Sequence, residues 1–298
     1  MSRRAIIDLG TNTFHLLIAD DTQIVHEEKY PVRMGVGGIN QNVITPDGIA
    51  RTLSCLTNFA ATCQSHHVDT IQAFGTSALR NAENGSLVAT LIESNTGIPV
   101  KIISGDEEAQ FIYQGIRAAV PLGIEKKLLM DIGGGSVEFI VGNEKEVFWK
   151  KSLEVGGQRL FERFHKHDPI LPEELDALNA YLGEALQPLH EPLHIHNPKT
   201  LVGSSGTFET LSDMYCAEQK IENKQWPNSP LDIETFHKIK HSITTSSQKQ
   251  RVALPGMMAW RAEMIVVTCA LIDYIVNMHS FDRMTVSRYS LKEGVLFG

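Results

Sequence analysis

Two segments of the 298-residue chain repeat one pattern. Residues 5–20 read AIIDLGTNTFHLLIAD, and residues 128–143 read LLMDIGGGSVEFIVGN. Placing Asp8 on Asp131, 123 positions later, puts Gly10 on Gly133, Thr13 on Ser136 and His15 on Glu138. The apolar runs then coincide, Ile6-Ile7 with Leu129-Met130 and Leu16-Leu17-Ile18 with Phe139-Ile140-Val141. Each copy reads as strand, Asp-x-Gly turn, strand. A chance likeness would leave the shared acid, glycine and hydroxyl unexplained, so the repeat is read as duplication of a whole domain. At this length a chain has room for two such domains.

Between the copies runs an alternation of helices and strands. Pro46–Ser65, Ser86–Thr96 and Asp106–Val120 read as helices, Thr70–Gly75 and Val100–Ile103 as strands. After the second copy, Gly157–His165 and Pro172–Leu186 read as helices, and Thr200–Leu211 as strand, small-residue loop and helix start. Lys220–Pro230 reads as a polar surface loop. Met257–Asn277, apolar almost all round, reads as the longest buried helix. Strands alternating with helices imply sheets covered by helices, hence an α/β fold. Pro121 and Gly123 interrupt the pattern just before the repeat, which places the boundary between domains 1–122 and 123–298.

Glycine lets a backbone approach a ligand closely, and successive amides in such a turn can form an anion cradle. Gly133-Gly134-Gly135-Ser136 supplies one cradle, and Gly10-Thr11-Asn12-Thr13 a second lined by hydroxyls. Gly203-Ser204-Ser205-Gly206-Thr207 offers a third ahead of a helix start. One glycine turn is ordinarily structural; three in one α/β chain, two related by repeat, point to phosphate. Asp131 ends a strand in an apolar run, where an unpaired carboxylate is costly. With Glu138 beside it, Asp131 suits Mg²⁺, which takes one or two carboxylates together with phosphate oxygens and water. For Asp8, capping its own turn and a functional role stand as equal readings.

The net charge of −8 repels nucleic acid and acidic membranes at long range, so neither is expected as a partner. An anionic substrate must then be held by local features. Four cysteines without CxxC spacing argue against a zinc site or disulfide framework. The start MSRRAIID lacks the apolar core of a secretory signal, and Met264–Val276, interrupted by Asp273, falls short of the roughly 20 residues of a membrane span. A cytoplasmic location is the expectation. His165, His167, His190, His194 and His196 read as surface histidines, and Lys126-Lys127 and Lys150-Lys151 as solvated lysines.

Several segments together resemble the exopolyphosphatase/guanosine pentaphosphate phosphohydrolase family of the actin–sugar kinase–Hsp70 superfamily. They are Asp8–His15, Gly75–Arg80, Ile103–Ala109, Asp131–Glu138, Val155-Gly156-Gly157 with Arg159-Leu160, Gly203–Thr207, Arg261-Ala-Glu263 and Ser287–Gly294. The resemblance spans the chain in order. It implies two actin-like (ribonuclease H-like) domains, with mixed sheets flanked by helices and a site in the cleft between them. It also implies hydrolysis of the terminal anhydride of inorganic polyphosphate, or of the 5′ γ-phosphate of guanosine pentaphosphate.

Matched position by position, Glu108 takes the place of the family's catalytic base and Arg80 that of a cleft arginine. Asp131, Ser136 and Glu138 fall in its metal and phosphate site, with Asp8 joining the metal set, and Thr11–Thr13 in its first phosphate loop. Mg²⁺ is the implied cofactor, with Mn²⁺ as the alternative, and a homodimer is a family-level expectation. The chain resembles the short, two-domain members, with about residues 285–298 expected to pack back on the first domain. Glu263 stands where Asp is expected and Thr268-Cys269 where Ala-Gly is commoner, departures assigned to packing in the buried helix. A kinase of the same superfamily and a non-catalytic sensor are the rival readings.

Overall fold

The computed structural model describes residues 2–222 and 226–298. The first copy folds as the antiparallel strands β1 (Arg3–Leu9), β2 (Phe14–Asp20) and β3 (Gln23–Tyr30), joined in parallel by β4 (Thr70–Gly75) and β5 (Val100–Ile102). Helix α1 (Pro46–Ser65) leads into β4; α2 (Ser77–Asn81) and α3 (Gly85–Thr96) lead into β5; α4 (Gly105–Ala119) follows it. The second copy repeats this with β6 (Lys127–Ile132), β7 (Val137–Gly142), β8 (Val147–Leu153), β9 (Thr200–Ser204), the short edge strand β10 (Asn228–Pro230) and β11 (Arg283–Ser287). Its helices are α5 (Gly157–Phe164), α6 (Pro172–Ala185), α7 (His190–His196), α8 (Ser205–Gln219), α9 (Ile233–Thr245), α10 (Gln248–Val252), α11 (Ile265–Met278) and α12 (Leu291–Phe297).

The sheet orders are β3-β2-β1-β4-β5 and β8-β7-β6-β9-β11-β10. Apart from β10 they match strand for strand in order and direction, and both are mixed sheets flanked by helices. This is the actin-like α/β architecture expected from the sequence. The repeat is also local: a Cβ on Gly10 would lie 2.8 Å from the carbonyl oxygen of Thr13, and one on Gly133 would lie 3.0 Å from that of Ser136. Neither turn tolerates a side chain at that position without moving its own backbone.

Sequence-coded caps set the helix starts that matter for the site. Thr45 accepts the Gly48 N–H, and Pro46 opens α1. Ser104 and Glu107 form a reciprocal capping box on α4. Glu107 thereby points outward, and Glu108, one position on, turns into the protein with 7% of its surface exposed. On α12 the Ser290 N–H likewise donates to Glu293 Oε2 at 2.9 Å.

One buried cluster packs α1 and α3 on the first sheet, and another packs α5–α9 and α11 on the second. A third lies between the sheets around α4 and α12, with Ile6, Leu17, Leu129, Ile140, Ile112 and Leu291 among its members. Gly115 and Gly294 sit where α4 and α12 touch; a Cβ on Gly294 would overlap the Phe111 carbonyl, and one on Gly115 the Ser290 carbonyl.

Three expectations are corrected. The helix read from Met257 begins at Ile265, and Ala259–Arg261 form a separate 3₁₀ turn. Pro255 and Gly256, the latter at φ +81°, break the chain there. No loop separates β9 from α8, because Ser205 takes φ +69° and turns strand directly into helix. Within the predicted loop Lys220–Pro230, residues 228–230 pair with β11 as β10, while 223–225 lie outside the described residues. Strands β3, β8 and β11 and helices α2, α7, α9, α10 and α12 were not read from the sequence. Among the described residues, no helix is long and apolar enough to cross a membrane.

Candidate active site

The turns after β1 and β6, the β9–α8 junction and the first turns of α4 and α12 converge on one cavity, an open cleft spanning about 900 Å³ with the solvent at its mouth. Twelve of the predicted site residues border it: Asp8, Gly10, Thr11, Asn12, Thr13, Glu108, Asp131, Gly133, Gly134, Gly135, Ser136 and Gly206. Arg80 and Glu138 do not reach the wall. Arg80 stands behind Glu108, donating from Nη1 to Glu108 Oε2 at 2.6 Å. Glu138 lies behind Ser136 and accepts from the hydroxyls of Ser136 at 2.7 Å and Ser152 at 2.6 Å. The cross-strand pairing of Asp131 with Glu138 turns the second carboxylate under the loop. In the first copy the pair is Asp8 with His15, and His15 does border the cavity.

The glycine loop is aimed by the helix after it. The N–H groups of Gly156, Gly157 and Gln158 donate to the carbonyls of Gly135, Gly133 and Gly134 at 3.1, 2.9 and 2.8 Å. The three carbonyls are thus occupied by the amino end of α5 and the Gly133 N–H by the Ser136 carbonyl at 3.1 Å, which leaves the amides of Gly134 and Gly135 for an anion. A Cβ on Gly156 would overlap the Gly134 and Gly135 backbone. Arg159 clamps the same loop, donating from Nε to the Gly135 carbonyl at 3.0 Å and from Nη1 to the Ile39 carbonyl. Glu154 then links the two halves, accepting from Ser77 at 2.7 Å, Arg159 at 3.2 Å and Arg80 at 3.5 Å.

Asp131, for which the apolar run demands a partner, has protein partners of its own. It accepts from Ser204 Oγ at 2.6 Å, Ser205 Oγ at 2.8 Å and Ser290 Oγ at 2.6 Å. Asp8 does not cap its turn: no backbone N–H donates to it, and buried Oδ1 has no partner among the described residues. Thr11 Oγ1 and Asn12 Oδ1 are buried and unpartnered as well.

Burial is the main influence on the acids. Asp8 is pushed up to about 8 by burial, helped by the charges of Glu108 and Asp131. Glu108 is pushed up to about 7 by burial, with Arg80 pulling the other way. Burial also raises Asp131 against its three hydroxyl bonds, and raises Glu138 well above the carboxylate range. Opposite these acids lie cations the sequence reading did not place in the site: Lys29, Lys292 and Arg261. Lys29 pairs with Glu209 at 3.0 Å, and Lys292 with Glu293 and Glu27. Burial and these cations hold His15 neutral. Arg261 belongs to the cavity wall and not to the buried helix.

A crowded set of hard oxygen ligands with an orphaned buried carboxylate oxygen fits a small divalent cation. Among the described residues no three Asp, Glu, His or Cys side chains form a metal cage. The fit is therefore to an ion completed by substrate oxygens and water, the usual habit of Mg²⁺. Two amide cradles, a buried carboxylate and an acidic floor suit the handling of a phosphate chain.

Known proteins agree with that chemistry. The sequence profile of the Ppx/GppA phosphatase family matches residues 16–298. A crystal structure of an exopolyphosphatase from Cytophaga hutchinsonii is 39% identical, superposes with a TM-score of 0.96, and the match covers 99% of this chain and 97% of that one. A Ppx/GppA family member from Aquifex aeolicus shares the fold at 24% identity, with a TM-score of 0.79 and coverage of 99% and 96%. The duplicated sheets, the shared cavity and a family match over all but the first 15 residues lead to one conclusion: the chain belongs to the Ppx/GppA phosphatase family.

Proposed function

We propose that this phosphatase is an exopolyphosphatase that releases phosphate from the end of an inorganic polyphosphate chain. Supporting this reading above all is Glu108, a buried carboxylate with one oxygen held by Arg80, on the wall of the cavity that holds both glycine cradles. The amides of Gly134 and Gly135 and the hydroxyls of Thr11 and Thr13 hold the terminal phosphate, the Gly133 amide being tied to the Ser136 carbonyl inside the turn. The Ser136 hydroxyl donates to Glu138 at 2.7 Å, which fixes the end of the loop. Glu108 orients a water against the phosphorus and takes its proton on the oxygen that Arg80 leaves free. Asp8 and Asp131 would hold Mg²⁺, or Mn²⁺ in its place. Such an ion, when bound, neutralises charge on the transferring phosphoryl group. The anhydride bond breaks as the new P–O bond forms, and the shortened chain leaves as the anion.

Phosphate release from long polyphosphate, tripolyphosphate, guanosine pentaphosphate and ATP, compared side by side in Mg²⁺, tests this. Long polyphosphate is expected to be the preferred substrate. Release from guanosine pentaphosphate alone, or transfer of phosphate from ATP to a small acceptor, would overturn the assignment.

A further inference from the structure

Arg80 stands between two carboxylates. Its Nη1 donates to Glu108 Oε2 at 2.6 Å and to the Ile103 carbonyl at 3.2 Å, while Nη2 meets Glu154 Oε1 at 3.5 Å. A guanidinium beside a single carboxylate tends to close on both of its oxygens with two parallel bonds. Closure of that kind would take Glu108 Oε1, the oxygen left to the attacking water. In this protein the second arm of the fork is turned to Glu154 instead.

Glu154 is anchored where it can do this. It follows β8 and precedes the residues whose N–H groups hold the glycine loop. Its Oε2 accepts from Ser77 Oγ at 2.7 Å and from Arg159 Nη2 at 3.2 Å, which leaves Oε1 for Arg80. Ser77 and Arg80 are three positions apart on α2, hence on one side of it. Ser77 is buried against the glycine loop, where a Cβ on Gly135 would lie 2.4 Å from its hydroxyl oxygen. Arg159 holds the carbonyl of that same glycine. One carboxylate thus touches the supports of the cradle and of the base, yet does not border the cavity itself.

We propose that Glu154 is a positioning residue that holds the second arm of Arg80 away from Glu108, so that one oxygen of the base stays free to take a proton. The role rests on the exopolyphosphatase reading, in which Glu108 is the base. Glu154→Gln keeps an acceptor for Ser77 and Arg159 but turns a neutral amide towards Arg80. Its kcat on polyphosphate should fall by about tenfold, part of the worth of a general base. KM should change by less than about twofold, because the α5 amides still hold the loop. Glu154→Asp, with its charge kept and its reach shortened, should lose kcat in the same way and replaces the amide variant if that does not fold.

Two readouts separate this role from a merely structural one. Asp8 of β1, Asp131 of β6 and Glu138 of β7 also face Glu108, and none of them changes in Glu154→Gln. With Arg80 bearing on Glu108 alone, the pH below which kcat/KM falls should move down. Lysine is a point charge without a second arm. In an Arg80→Lys background, therefore, adding Glu154→Gln should cost kcat less than about twofold. An equal loss in both backgrounds, or a pH profile that stays put, would overturn the positioning role. Glu108→Gln tests the base separately. Should that variant keep full turnover, the base assignment falls, and a crystal structure of Glu154→Gln decides the rest. Both Arg80 arms on Glu108 would uphold the hold exerted by Glu154; an unmoved Arg80 would sink it.

Discussion

Glu108 follows Glu107 in the first turn of α4, yet the two acids have opposite fates. Glu107 is tied to Ser104 and Lys101 at the surface, while Glu108 is buried. At about 7, Glu108 is poised where a general base works best near neutral pH. Glu108→Gln should lower kcat by about 10²–10⁴-fold with KM little changed; steady-state kinetics on polyphosphate check this, and full turnover would remove the residue from the mechanism. Because the base must be deprotonated, kcat/KM should fall as pH drops below about 7. Arg80 lowers that value, so Arg80→Gln should move the acid limb to higher pH. A limb that stays put would mean that Arg80 does not govern the base. The inward aim of Glu108 was legible in the sequence, since it shares the i, i+4, i+8 stripe with buried Ile112 and Ile116. Without the family resemblance, though, a run of three acids at a helix start reads as dipole compensation. The Asp131 hydroxyl cage was not legible, because Ser204, Ser205 and Ser290 come from distant parts of the chain.

At the level of elements, the glycine loop depends on α5 as much as on its own composition. Three consecutive glycines predicted a cradle, but not which way its amides would face. That direction comes from the N–H groups of residues 156–158, whose partners lie more than 20 positions earlier in the chain. Gly156→Ala should therefore act at a distance. Its Cβ has only backbone to displace, so the loop must shift. KM for polyphosphate should rise by about tenfold or more, and the melting temperature should fall. Normal kinetics and stability in that variant would show that the α5 contact does not aim the loop. The strands flanking the two Asp-x-Gly turns and helices α1, α3, α4, α5 and α6 were readable from periodicity, whereas β3, β8, β11 and α9 were not. Nor was the start of α11, because Trp260, Arg261 and Met264 continue an apolar-looking run whose real purpose is to line the main cavity and a side cavity next to it.

Across the whole molecule, duplication extends past the two hairpins to the helices that close each half. After β5 comes a Ser104–Glu107 cap, and after β11 a Ser290–Glu293 pair; the next positions are Glu108 in one and Gly294 in the other. One copy thus puts a buried carboxylate at the inward position, and the other leaves it bare so that α4 and α12 can touch. The result gathers acids from both halves, Asp8 and Glu108 with Asp131 and Glu138, and their burial has a consequence for stability. Asp8 moves from 3.8 to about 8 on folding, and Glu108 from 4.5 to about 7. Between about pH 4 and pH 8 the folded protein keeps protons that the unfolded chain has released. By linkage, these groups make stability fall as pH rises through that window. A divalent ion bound by these carboxylates would replace those protons, so its stabilising effect should grow over the same range. Melting curves from pH 5 to pH 9 with and without Mg²⁺ test both statements. Asp8→Asn should flatten the metal-free slope, raise the melting temperature near pH 8 and reduce the Mg²⁺ shift there. A metal-free melting temperature that climbs from pH 5 to pH 8, or a Mg²⁺ shift that ignores both pH and Asp8, would mean that the clustered acids are not held protonated in the folded protein.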